Sequence, residues 1–145
     1  MNIRPATLED ISQLLPLYID LGYPTEAKTL ERRLKIILTQ EQYGLLVAEK
    51  NAQLIGFVGY SKLFFFETDG SYYRILALVV AKSARRKGVA TSLLDRVKEE
   101  ATKEGVGTLA LNSGLGSSRR AAHDFYRNYG FTQVTAGFAL VLDAR

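Results

Sequence analysis

Two short stretches of this chain hold side chains whose types and spacing point to chemistry. The first is Arg85-Arg86-Lys87-Gly88-Val89-Ala90, three cations followed at once by a glycine. An apolar run over residues 76–81 precedes it, and an amphipathic helix pattern follows. A strand, a basic glycine turn and a helix N-terminus together make a site for a pyrophosphate. The first helical amides lack intrahelical acceptors, and the helix dipole favours an anion there. Gly88 removes the Cβ that would hold a ligand off the backbone. Cations are disfavoured at a helix N-terminus, so three in a row need a reason, and an anionic ligand supplies one. Thr91 and Ser92, in the first helical turn, serve either as caps or as hydroxyl contacts. The second stretch is Ala122-His123-Asp124-Phe125-Tyr126, where the single histidine lies three residues before a tyrosine, on the same helical side. His123 is an acid–base candidate by residue type; capping, packing and ligand contact are its alternatives. Arg119 and Arg120 again place positive charge near a helix start, for a phosphate, an acidic substrate group or plain surface.

These residues must be positioned by an α/β (α+β) framework. Thr7 and Asp10 form a capping pattern before Ile11, Leu14, Leu15, Tyr18 and Ile19, which share one helical face. Pro16 falls inside that helix and is expected to bend or interrupt it. Gly22 is the expected cap. A second helix from about residue 25 turns Leu30, Leu34, Ile37 and Leu38 inward. The period then changes. Residues 43–49, 53–66 and 72–81 read as a three-strand meander, with Asn51-Ala52 a tight connection and Thr68-Asp69-Gly70-Ser71 a turn. The helix behind the basic turn shares Ala90, Leu93, Leu94, Val97 and Ala101 on one face and stops at Gly105 and Gly107. Residues 108–112 form a short strand, parallel to the previous one because a helix crossover precedes it. A loop over 113–118 ends in a good N-cap, a helix runs over 119–129, and residues 131–134 and 138–142 can form a closing hairpin. One mixed, mostly antiparallel sheet of about seven strands with helices on both faces follows, as a single domain over 1–145.

Composition narrows the chemistry. With 47% hydrophobic and 23% charged residues the chain is an ordinary globular one. It has no cysteine and one histidine. Disulfides, thiolate nucleophiles and Cys- or His-rich metal sites are therefore out of reach, and no metal site is expected. No apolar run reaches bilayer length and the first residues carry no apolar signal region, so a cytoplasmic location and no membrane partner are expected. The net charge of +4 suits an anionic small ligand. It suits nucleic acid weakly, and no nucleic-acid motif is found, so none is expected as a partner.

The element order, with the short extended piece over residues 2–5 as its first strand and Arg85-Arg86-Lys87-Gly88-Val89-Ala90 behind the fourth, resembles the GCN5-related N-acetyltransferase superfamily. Its cofactor motif reads Gln/Arg-x-x-Gly-x-Gly/Ala. Ala122-His123-Asp124-Phe125-Tyr126 followed by Tyr129-Gly130-Phe131 resembles its A-H-x-F-Y-x-x-x-G-F segment. Leu21-Gly22-Tyr23-Pro24, Leu111-Asn112-Ser113-Gly114 and the run Arg119 to His123 look most like the small branch that includes aminoalkylphosphonate acetyltransferases. The resemblance implies the GNAT fold and an acetyl-CoA-dependent N-acetyltransferase acting on a primary amine by direct attack in a ternary complex. It implies that the amides of Arg86 to Ala90 take the cofactor pyrophosphate, with charge from Arg85, Arg86 and Lys87 and help from Thr91, Asn112 and Arg119. Leu78, Val79 and Val80 would offer backbone to the pantetheine arm where two parallel strands splay. A main-chain N–H at Val79 or Val80 would polarise the thioester carbonyl. Tyr126 matches the tyrosine that protonates the departing thiolate, and a phenol near ~10 facing a thiol near ~8.5 suits that transfer.

The chain departs from the family pattern at Leu76 and Ala77, where many relatives carry a carboxylate as general base. Tyr23, Glu26, Tyr60, Glu67 and Tyr73, with Asn112, are the candidates to line the acceptor cleft or hold a base water. An amine that loses its proton to solvent needs no such group. A non-catalytic acyl-CoA-binding module and a protein N-acetyltransferase are the rival readings, and the closing hairpin is a candidate homodimer edge.

Overall fold

The computed structural model describes residues 1–113 and 119–142. They fall in two compact units, Met1–Leu111 and Asn112–Arg145.

The first unit is a sheet with helices on both faces. Its strands are β1 (Asn2–Pro5), β2 (Tyr43–Lys50), β3 (Gln53–Phe64), β4 (Ser71–Val80) and β5 (Leu109–Leu111), in that spatial order. β1 to β4 pair antiparallel, and β5 runs parallel to β4 through Tyr73↔Leu109, Arg74↔Ala110 and Ile75↔Leu111. Helices α1 (Ile11–Leu21) and α2 (Ala27–Leu38) cover one face, where Leu14, Leu17, Leu30 and Leu34 pack with Leu45, Val47, Phe57 and Val79. Helix α3 (Val89–Lys103) covers the other through Val89, Leu93, Leu94, Val97 and Ala101. Leu45, Leu46, Val47 and Ala48 are consecutive and all buried, as a strand clad on both faces requires.

Local sequence explains the helix ends. The Thr7 and Asp10 box forms: Asp10 accepts from the Thr7 amide at 2.9 Å, while the Thr7 hydroxyl accepts from Glu9. It closes a short 3-10 turn, Leu8–Asp10, from which α1 continues. Gly22 caps α1 with a left-handed φ of 98°. Asn51 and Ala52 join β2 to β3 with φ of 52° and 62°.

Of the two outcomes expected at Pro16 the interruption is corrected, and so is the closing hairpin. Helix α1 is uninterrupted through Pro16. Pro16 and Ser12, whose carbonyl loses its partner, both lie on the exposed side, where water can take that bond. The closing hairpin is not formed: residues 131–142 carry no strand, so the described residues hold five strands rather than about seven. Phe138 and Leu142 are 96% and 91% exposed, and a ribbon that buries no apolar face has little to hold it together. The candidate dimer edge is likewise not formed there. The expected N-cap at Ser118 lies outside the described residues. Among the described residues no helix is long and apolar enough to cross a membrane.

Candidate functional site

The site is built around a break in β4. β3 pairs Gly59 with Ala77 but Tyr60 with Ile75, so Leu76 has no partner and forms a bulge. The parallel ladder to β5 ends at Ile75, one residue before it. Beyond that point β4 has no strand neighbour on its outer side among the described residues. The Ala81 amide donates to Ile55 of β3 at 2.8 Å. Antiparallel alternation then turns the backbone groups of Ala77 and Val79 toward β3, leaving those of Leu78 and Val80 outward. Of the expected trio, Val79 thus spends its backbone inside the sheet. The Val80 carbonyl accepts from Arg85 Nε at 3.4 Å.

β4 leads directly into the basic turn. A 3-10 turn, Lys82–Ala84, is followed by Arg85 in extended conformation, Arg86 at φ 63° and Gly88 at φ 79°. Left-handed residues at Arg86 and Gly88 turn the backbone sharply between the 3-10 turn and the helix. Arg86 adopts this with a Cβ, at a cost of about 1–2 kcal/mol. The first helical bond of α3 runs from the Ser92 amide to the Gly88 carbonyl at 3.0 Å. The amides of Gly88, Val89, Ala90 and Thr91 precede it, with no side-chain cap and no acidic residue in the first turn. Arg85, Arg86 and Lys87 are exposed beside them.

The helix start is held against the sheet by two small features. Val89 is buried, so its amide is fixed while its side chain faces inward. Gly56 of β3 lies beneath: a Cβ there would stand 2.9 Å from the Val79 carbonyl oxygen and 3.2 Å from the Val89 side chain. Lys87 and Val89 also border an open cleft of about 270 Å³ with Lys50, Ile55, Ser83 and Ala84.

The remaining candidates are dispersed. Tyr60 and Tyr73 come together, rings stacked at 5.0 Å, but against the C-terminal end of α3. Tyr73 is fully buried and its hydroxyl donates to Glu104, which also pairs with Lys62 at 3.1 Å. Burial and that carboxylate push the Tyr73 phenol far up, while its hydrogen bond holds the Glu104 carboxyl down. Tyr73 is thus a core strut rather than cleft lining. Burial likewise raises the Tyr60 phenol. Glu67 is exposed in the bend between β3 and β4, and Tyr23 and Glu26 are exposed in the connection between α1 and α2. Leu76 is 52% exposed and Ala77 faces α1, so no carboxylate stands at the break itself.

The second unit holds α4 (Arg120–Tyr129), preceded by Arg119 and capped by Gly130. Tyr126 is half-buried, its ring edge-on to Phe125 at 5.7 Å and to Phe131 at 5.9 Å. Burial pushes its phenol above the ordinary 10, with Arg119 pulling the other way. Arg119 is exposed, His123 is half-buried, and Asn112 is exposed just after β5.

A mixed sheet whose parallel ladder stops at Ile75, with a free-amide turn at the end of the longer strand, defines an α/β enzyme fold shared with solved acetyltransferases. A GNAT family acetyltransferase of Staphylococcus aureus superposes with a TM-score of 0.85 at 34% identity, covering 97% of this chain and 98% of that one. An aminoglycoside 6'-N-acetyltransferase of Acinetobacter haemolyticus gives 0.83 at 21% identity, each chain fully covered; at that identity it speaks for the fold alone. The uncharacterized N-acetyltransferase YhfO of Bacillus subtilis is 28% identical over 93% of this chain and 92% of its own length. The model of the acetyltransferase (GNAT) family matches residues 8–131. The chain belongs to that family and is an N-acetyltransferase.

The sequence left unread Gly56, the bulge at Leu76 and the left-handed Arg86. A glycine inside an apolar strand was a signal for the first; the other two leave none in a single chain.

Proposed function

We propose that this chain transfers the acetyl group of acetyl-CoA to a primary amine of a small molecule. The observation that carries the reading is the continuity of an unpaired strand edge with an uncapped, cation-flanked helix start. The first suits an extended amide arm and the second suits a pyrophosphate. Leu78 and Val80 would take the arm by backbone pairing. The amides from Gly88 to Thr91, with Arg85, Arg86 and Lys87, would take the phosphates. When bound, the cofactor supplies a thioester acyl group to a neutral amine.

The protein's part is orientation, carbonyl polarisation and proton transfer. The outward Val80 amide is the better placed of the two expected carbonyl contacts. Tyr126 is a general acid whose raised pKa keeps it protonated at neutral pH. With Leu76 and Ala77 at the break, no side chain there deprotonates the amine, and an amine reaching the site neutral is consistent with that. Aminoglycoside acetyltransferases among the structural neighbours support a small-molecule acceptor by analogy of fold.

The test is calorimetry and thermal unfolding with acetyl-CoA. Binding at a hundredfold excess over Kd is expected to add about 2.7 kcal/mol of stability and raise Tm. No heat of binding and no shift in Tm would sink the reading. Thiol release over a panel of aminoglycosides, polyamines, aminophosphonates and an N-terminal peptide then assigns the acceptor. Turnover of the peptide alone would overturn the small-molecule part.

A further inference from the structure

We infer that Asp20 is a positioning residue for the basic turn, reaching it from the opposite layer of the fold; the inference rests on the proposed binding of acetyl-CoA there. Asp20 is half-buried in the last turn of α1, and its Oδ2 accepts from the Lys82 amide at 3.2 Å, across 62 residues of sequence. That amide opens the Lys82–Ala84 turn joining the free edge of β4 to Arg85.

The joining strap has few other anchors. The Ala81 amide is bonded to β3, the Ala84 amide closes the turn on Ala81 at 2.8 Å, and the Ala84 methyl is buried. Among the described residues, Asp20 is the side chain of another element that holds the strap by a hydrogen bond. Arg86, two residues beyond the turn, sits in a left-handed conformation that persists only when its surroundings impose it. With Asp20 fixed, the strap, the Arg86 kink and the α3 amides are ordered before a ligand arrives. Without it, that order must be gained on binding and affinity falls.

A carboxylate near an anion site also opposes the anion by its charge, so its retention there is explained by the bond it makes. This separates two substitutions. Asp20→Ala removes bond and charge; Asp20→Asn keeps an oxygen acceptor and removes the charge. Gln13→Ala is the control, since Gln13 makes a comparable tie from α1 to the sheet, accepting from the Leu54 amide at 2.8 Å, with no bond to the Lys82–Ala84 turn itself.

Acetyl-CoA is titrated calorimetrically into the full-length protein and the three variants, and Tm is recorded for each. Asp20→Ala is expected to raise Kd about three- to tenfold, the worth of one hydrogen bond. Asp20→Asn should bind as tightly as the parent or tighter. Gln13→Ala should lower Tm with Kd unchanged. A parental Kd in Asp20→Ala, or an equal rise in Gln13→Ala, overturns the inference. A parent protein that fails to bind acetyl-CoA overturns the proposed function, and this inference with it.

Discussion

At the scale of single residues, the proposed chemistry turns on Tyr126 by its presence and on Leu76 by the carboxylate it does not supply. Burial raises the Tyr126 phenol above its ordinary 10, so the acid of the proposed reaction stays protonated throughout the neutral range. Tyr126→Phe is expected to lower turnover about 10²- to 10⁴-fold in a thiol-release assay, with the acetyl-CoA Kd nearly unchanged. In the parent, any alkaline loss of rate from this group should fall above pH 10, because the shift is upward. Unaltered turnover in the variant would remove the acid role. The tyrosine was readable because its segment resembles a known one. The character of Leu76 was not, since an unbroken apolar run gives no sign of where a strand changes phase.

Among the elements, α3 matters most, because its start is where an anion would be held. Its docking depends on an absent side chain: a methyl at Gly56 meets the Val79 carbonyl at 2.9 Å, Val89 at 3.2 Å and Leu93 at 3.4 Å. The carbonyl belongs to the sheet and cannot withdraw, so α3 or β3 must shift. Gly56→Ala is expected to cost about 1–3 kcal/mol in urea unfolding and to weaken acetyl-CoA binding, because the displaced turn carries the amides. Parental stability in this variant would mean the helix tolerates the shift. The helices and the three-strand meander were legible from period and caps, while β1 is too short to carry a period of its own. The closing hairpin was overread because Phe131, Val134, Phe138 and Leu140 to Leu142 are apolar enough to suggest strands. Apolar spacing, however, says nothing about whether a partner edge is available.

Across the molecule, the first unit is tied by a charge cluster that no local pattern announces. Arg4 of β1 donates to both Asp10 oxygens at 2.8 and 2.9 Å and reaches Glu49 of β2 at 3.3 Å, while Arg96 of α3 donates to the Ile3 carbonyl at 2.9 Å. The Arg4 hydrogen bonds, aided by the Thr7 amide, hold the Asp10 carboxyl below its ordinary 3.8 against the cost of burial. A carboxyl with a lowered folded pKa contributes stability above its unfolded value and loses it as pH falls through the folded one. Stability is therefore expected to decline below about pH 5, with Asp10 still contributing loss below 3.8. Asp10→Asn should cost about 1–3 kcal/mol at pH 7 and flatten that acid slope, measured by denaturant unfolding from pH 7 to 3. An acid slope unchanged in the variant would place the dependence elsewhere. Arg4, Asp10 and Glu49 could not be linked from sequence, since 39 residues separate the two acids.

The bulge at Leu76 also fixes what kind of change the strand can absorb. Because it adds one residue, Tyr73 faces α3 while Val79, six positions on and of the same parity, faces α1. Deleting that one residue would restore an unbroken alternation, with Ile75 and Ala77 adjacent and on opposite faces, so Tyr73 would still face α3 and Val79 α1. It would also realign the half of β4 that runs beyond its pairing with β5. Position 76 is therefore permissive in identity, and its presence sets the bulge in β4 rather than the layer that each neighbour faces.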